Sequence, residues 1–161
     1  MGLFSFIKNA GAKVFGIGKT TEEEAAESAE KKVEIAREKA KKLINAITKL
    51  GFEVKDLKVG VKGDAATIWG EANSQTTREK VILVVGNTVG IATVDDQMTV
   101  VIPEPEAQFH TVVKGEYLSK IAKKYYGDAM KYPLIFEANK PMLTDPDKIY
   151  PGQVLRIPKL D

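Results

Sequence analysis

Apolar residues first fall into a helical rhythm at Val33, Ala36, Ala40, Leu43, Ile47 and Leu50, spaced alternately by three and four. That spacing puts all six on one face of a helix, with Gly51 placed to stop it. Upstream, Thr21-Glu22-Glu23-Glu24 has the form of a capping box, and its acids favour the positive end of the helix dipole. The first half of this stretch is rich in Ala and Glu and poor in large apolar side chains. A core-packed helix with a solvated N-terminal extension therefore fits better than a coiled coil. Val54, Leu57, Val59 and Val61 then alternate in part, Lys62-Gly63-Asp64 reads as a turn, and Ala65–Gly70 returns, which predicts a hairpin. Val81-Ile82-Leu83-Val84-Val85 would suit a buried strand, but Thr76, three residues before Glu79, is a second capping signal and favours a helix ending at Gly86. β-Branched residues return over Ile91–Ile102 as a third strand. The predicted order is α-β-β-α-β, with the helices on one face of a small sheet.

Pro103-Glu104-Pro105-Glu106 breaks this pattern as a short, stiff linker. Beyond it, Phe109–Val113 reads as a strand and Lys114-Gly115 as a turn. Leu118, Ile121, Ala122 and Tyr125 share one helical face, and Gly127 stops that helix. Pro133 suits the first turn of another helix running to Ala138, ended by Asn139 and Pro141. Tyr150-Pro151-Gly152 is a turn, and Gln153–Ile157 closes a β-α-α-β unit. The fold class is α+β. Residues 1–21 form an N-terminal amphipathic segment, 22–102 the first domain, 103–108 the linker and 109–161 the second domain.

In the segment 1–21, Leu3, Phe4, Phe6, Ile7, Val14 and Phe15 predict a short amphipathic helix. Its apolar runs are too short for a secretory signal, Lys8 interrupts them, and Phe6 stands where a myristoylation pattern wants Ser or Thr. Membrane contact and docking on the protein's own body both remain open, and the scarcity of cations favours docking.

Charge and composition narrow the chemistry. The 24 basic and 22 acidic residues nearly cancel, and no basic block with interleaved aromatics occurs, which argues against nucleic acid. There is no Cys and only one His, His110, which excludes thiol catalysis and disulfides and removes most zinc or iron sites. No phosphate-cradling Gly-Lys-Ser/Thr loop is present. The reading is a non-enzymatic binding protein with no integral membrane segment, monomeric and cytoplasmic. His110 reads as structural, Trp69 as core or interface, and Asp95-Asp96 as a solvated strand end rather than a divalent-metal site.

Val112-x-x-Gly115-x-x-Leu118-x-x-Ile121-Ala122, then Ile135-x-x-Ala138-Asn139, then Ile149-Tyr150-Pro151-Gly152-Gln153-x-Leu155-x-Ile157-Pro158 resemble a LysM domain. One departure is that the usual Asp-Thr after the turn glycine is Glu116-Tyr117, which removes a short N-cap side chain and sets a large ring at the groove mouth. Ala66-Thr67-Ile68-Trp69-Gly70-Glu71, Gly86-Asn87-Thr88-Val89-Gly90-Ile91 and Val94-Asp95-Asp96-Gln97-Met98 resemble a BON domain. The opening Met1-Gly2-Leu3-Phe4, the BON-like region, the short linker and the LysM-like region together resemble the small bacterial potassium binding proteins, the Kbp family. The acidic, Ala-rich stretch Glu22–Glu38 is the least matched.

That resemblance implies a K⁺-binding or K⁺-sensing protein, with Rb⁺ or Cs⁺ as candidate alternatives. Backbone carbonyls can replace the water shell of so weakly hydrated an ion without a formal charge. A helix C-terminus supplies such carbonyls along with a negative dipole end, and glycine turns supply more. Ile7-Lys8-Asn9-Ala10-Gly11 reads as the C-terminal end of the first short helix, and Gly86–Ile91 as the loop linking the second helix of the BON-like region to its third strand. The expected ligands are the carbonyls of Ile7, Ala10, Gly86, Asn87, Thr88 and Ile91. By the residues alone an ordinary C-cap and loop is the simpler account, and the family resemblance reverses that. The expected mechanism is compaction of the domains on one ion. The LysM resemblance implies an N-acetylglucosamine-containing glycan as a second ligand, through Gly115, Glu116, Tyr117, Leu118, Asn139, Lys140, Pro141, Met142 and Ile149. A LysM fold kept as a packing partner is the competing account. The alternative function is a cell-envelope module that binds peptidoglycan through LysM or phospholipid through BON.

Overall fold

Residues 2–7 and 29–160 are described by the computed structural model. The elements are β1 (Gly2–Ser5), α1 (Ala29–Lys49), β2 (Val54–Lys62), β3 (Ala65–Ala72), α2 (Gln75–Gly86), β4 (Thr93–Val100), β5 (Gln108–Thr111), α3 (Leu118–Tyr126), a 3₁₀ turn (Ala129–Lys131), α4 (Tyr132–Ala138) and β6 (Val154–Ile157). The α+β class and the two-unit order follow the sequence reading, with one addition at the start.

That addition corrects the expected N-terminal helix. Gly2–Ser5 is a strand, antiparallel to β4 in the register Gly2↔Asp96 to Ser5↔Thr93, so the first sheet has four strands in the order β1-β4-β3-β2. The physical reason lies in the spacing of the rings. Leu3-Phe4-Ser5-Phe6 alternates with period two, which turns Phe4 inward and leaves Leu3 70% exposed. The strand covers what would be an open edge of β4. The remainder of the 1–21 segment beyond Ile7 lies outside the described residues.

β2 and β3 form the predicted hairpin, and β3 runs parallel to β4 through the α2 crossover. In α1 the large residues Leu43 and Ile47 are fully buried while Val33 is exposed, as a packed helix with a solvated first half requires. Trp69, expected in core or interface, stands 43% exposed on the outer face, its ring against the backbone of Gly60. Asp96, expected at a solvated strand end, is buried: it takes Arg78 Nε at 2.7 Å and the amide of Met98 at 2.9 Å. The N-cap of α2 is Ser74, whose hydroxyl accepts from the Thr77 amide at 3.1 Å, two residues earlier than Thr76.

The unbroken apolar run in α2 has a simple cause. Val81, Ile82 and Val85 pack into the core of the first unit. Leu83 and Val84 pack into the core of the second, beside Val112, Leu118, Ile121, Val154 and Leu155. A helix set between two cores needs no polar face. The second unit pairs β5 with β6 antiparallel, and α3 and α4 close over them.

Candidate functional site

The loop Gly86–Ile91 follows α2 and is buried throughout. Three of its backbone donors turn back on the helix end and the loop itself: the Asn87 amide bonds Leu83 O at 2.9 Å, the Thr88 amide bonds Val85 O at 3.2 Å, and the Ile91 amide bonds Thr88 O at 3.2 Å. The Thr88 hydroxyl turns back to Val84 O at 2.8 Å. On the acceptor side, no donor among the described residues reaches the carbonyls of Gly86, Asn87 or Ile91. A buried carbonyl without a partner costs free energy comparable to a lost hydrogen bond. The last turn of α2 carries no basic residue, so its negative dipole end is not neutralised from within the helix.

Of the sequence-expected carbonyl set, Gly86, Asn87, Thr88 and Ile91 therefore lie on one loop, and Thr88 already accepts one bond there. Ile7 is 55% exposed, and its conformation differs from the one expected. It is not helical; it follows Phe6, whose amide bonds Ala92 O at 2.7 Å at the end of the β1–β4 pairing. The Phe6 ring lies so close over Gly86 that a Cβ there would come within 2.0 Å of it. Ala10 lies outside the described residues.

Phe6 was not among the expected site residues, and neither were Glu79 and Arg156, which join the two units. Arg156 Nε meets Glu79 Oε1 at 2.7 Å with side chains 11% and 4% exposed, and Arg156 Nη2 donates to Thr76 at 3.3 Å. The other Glu79 oxygen accepts from the linker amide of Ala107 at 2.8 Å and from Gln75 at 3.2 Å. Rings meet across the same seam, Phe4 and Phe109 lying 5.3 Å apart. A Glu inside α2 and an Arg inside the closing strand were the available signals.

Two asparagines close the outer edge of β6. The Asn87 side chain donates to Val154 O at 2.9 Å and accepts from the Val154 amide at 2.8 Å, so it bonds one residue as a neighbouring strand would. Its Nδ2 also contacts Met142 Sδ at 3.5 Å. Asn139 does the same two residues on, donating to Arg156 O at 2.9 Å and accepting from its amide at 2.7 Å.

This arrangement divides the expected glycan residues. Leu118 and Met142 are buried in the core, and the buried Asn139 amide is committed to β6 and to Ile135 O at 2.7 Å. Lys140 lies over the Phe136 ring and pairs with Glu137. Ile149 packs against the core, and Pro141 is half-buried. Gly115 and Tyr117 stay exposed, with Lys120 Nζ 4.9 Å from the Tyr117 ring centre. Tyr117 is the N-cap of α3 and supplies no side-chain cap. Glu116 instead bonds the Val113 amide at 2.8 Å and His110 Nε2 at 2.8 Å, while His110 Nδ1 meets the Tyr125 hydroxyl at 2.9 Å. Burial by itself would raise the Glu116 carboxyl, but the Val113 amide and the His110 ring overcome it and hold the group below its ordinary value.

Known proteins resemble both the second unit and the chain as a whole. The LysM domain family matches residues 110–158. The potassium binding protein Kbp of Escherichia coli is 44% identical over 160 residues, which is 99% of each chain. An uncharacterized protein of Deinococcus radiodurans is 53% identical over 49 residues, 30% of this chain and 19% of its own. An esterase of Mycobacterium tuberculosis is 47% identical over 53 residues, 33% of this chain and only 11% of the esterase.

Proposed function

The chain belongs to the family of the potassium binding protein Kbp, and from that premise we propose that it binds one K⁺ through main-chain oxygens at the end of α2. The supporting observation is the buried Gly86–Ile91 loop, where the carbonyls of Gly86, Asn87 and Ile91 accept no hydrogen bond from the described residues. Neutral oxygens at the negative end of a helix match a monovalent ion of low hydration energy. Thr88 contributes the second lone pair of its carbonyl, Ile7 adds a carbonyl from just beyond β1, and Ala10 completes the set. The protein is a non-catalytic cytoplasmic ion sensor. Without the ion the carbonyls repel one another; with it the loop, the N-terminal strand and the LysM domain converge, which is a population shift toward the compact state.

A ligand that binds only the folded, docked state stabilises it by mass action, by about 2.7 kcal/mol at a concentration a hundred times Kd. Thermal melts in KCl and NaCl at equal ionic strength therefore test the reading directly. The expected result is a melting temperature several degrees higher in KCl; equal temperatures in the two salts would overturn it.

A second reading concerns the LysM groove, where the exposed Tyr117 ring offers a face to a sugar. Saturable retention on purified peptidoglycan, lost in Tyr117→Ala, is the result it requires. Absence of retention leaves the LysM domain as a docking partner alone.

A further inference from the structure

Asn87 is the one residue whose backbone belongs to the candidate ion loop and whose side chain belongs to the sheet of the LysM domain. We infer that it is a positioning residue, through which docking of the LysM domain sets the direction of the loop carbonyls and ion binding in turn tightens the docked β6 edge. This rests on the ion-binding reading above.

The geometry for such coupling is specific. The Asn87 amide is held to Leu83 O by the last turn of α2, and both ends of its side chain are held by Val154, 67 residues further along the chain. Two bonds in opposite senses to the backbone groups of one residue fix the side-chain torsions, so they fix the Cα from which the Asn87 carbonyl departs. The residue is 5% exposed and Val154 4%, so water cannot substitute readily for either bond. Leu83 and Val84 already bury themselves in the LysM core, so apolar packing holds the two units together on its own account. What the Asn87 bonds add is register between loop and strand.

Coupling of this kind is reciprocal: if docking improves ion affinity, the ion must stabilise docking by the same factor. The structure supplies its own control. Asn139 is also a helix C-cap, also buried, and also bonds both backbone groups of one β6 residue, but its helix, α4, lies within the LysM domain. Removing either side chain exposes the same chemistry on the same strand edge, and only Asn87 connects that edge to the loop.

The test measures K⁺ affinity by calorimetry, and amide exchange at Val154 by NMR, in the full chain and in Asn87→Ala and Asn139→Ala. We expect K⁺ to slow exchange at Val154 in the unmodified chain. Asn87→Ala should weaken K⁺ binding on the order of tenfold or more, within the usual span of coupling between sites, while Asn139→Ala loses stability and keeps its affinity. If the unmodified chain binds K⁺ but Val154 exchange does not respond, the inference fails and the ion reading stands. Equal affinity in the two variants has the same consequence. The exchange measurement needs no variant, so it decides the matter even where Asn87→Ala does not fold. A chain that gives no heat with K⁺ and no change at Val154 overturns the ion reading and the inference with it.

Discussion

Two helices of this protein end in opposite ways. α3 stops at Gly127, which takes the left-handed conformation at φ 75°, returns its amide to Lys123 O at 2.9 Å, and accepts Lys123 Nζ at 3.3 Å. It ends in water, with two lysines in its last turn. α2 stops at Gly86 in the interior, without a basic residue in its last turn and with a loop carbonyl array that the described residues do not satisfy. In α2 the carbonyls of Leu83, Val84 and Val85 are likewise satisfied locally, by Asn87 and Thr88, and what stays open among the described residues is the carbonyl of Gly86 and those of Asn87 and Ile91 beyond it. A glycine after a helix is thus not one signal but two. In α3 its use is conformational, whereas at Gly86 it gives the Phe6 ring room against the backbone.

The contrast can be broken most severely at Gly86. In Gly86→Ala the new methyl would lie within about 2.0 Å of the Phe6 ring, so the ring must leave and the end of β1 with it. Overpacking of this kind costs about 1–3 kcal/mol. The expected outcome is a lower melting temperature together with a reduced difference between KCl and NaCl. If the KCl-dependent rise is unchanged, the N-terminal strand takes no part in the site.

Gly127→Ala sharpens the comparison from the other side. No atom crowds the position, so the cost is the left-handed backbone alone, about 1–2 kcal/mol. Melting should fall by several degrees in both salts, with the difference between them intact. A loss of the salt difference here would mean that any destabilisation mimics a site lesion.

The smallest expected effect is electrostatic and confined to the LysM domain. The folded Glu116 carboxyl is held below its ordinary value, so its contribution to stability is present above the unfolded pKa and is lost as pH falls through the folded pKa. Glu116→Gln should flatten stability against pH in that acidic window and leave K⁺ affinity at neutral pH unchanged. Unfolding midpoints measured from pH 3 to 7 check both. A variant curve as steep as that of the unmodified chain would show that other carboxylates govern the acid limb.

Much of the architecture was legible because it depends on local rules. The period of α1, the hairpin turn at Lys62–Asp64, Pro133 in the first turn of α4 and the Tyr150-Pro151-Gly152 turn each act over a few residues. The N-terminal strand was misread because Leu3, Phe4, Phe6 and Ile7 fit a short helix as readily as an alternation. What chose between them was the open edge of β4, some ninety residues away, and a short window of sequence carries no record of such a partner. Asp96 was misread for the same reason: its partner Arg78 comes from α2, and nothing near Asp96 in sequence announces it.

The candidate site divides along the same line. The sequence by itself determined that α2 ends at Gly86 and that a glycine-bounded loop follows, because helix stops and turns are properties of adjacent residues. It also determined the LysM unit, whose anchors recur in order. Only the tertiary structure decided that this loop is buried on every side, that Phe6 covers its glycine, and that Asn87 reaches across to Val154. Those are facts about which surfaces meet. A backbone carbonyl carries no side-chain signature, so its lack of a partner among the described residues becomes visible only once their donors have been placed.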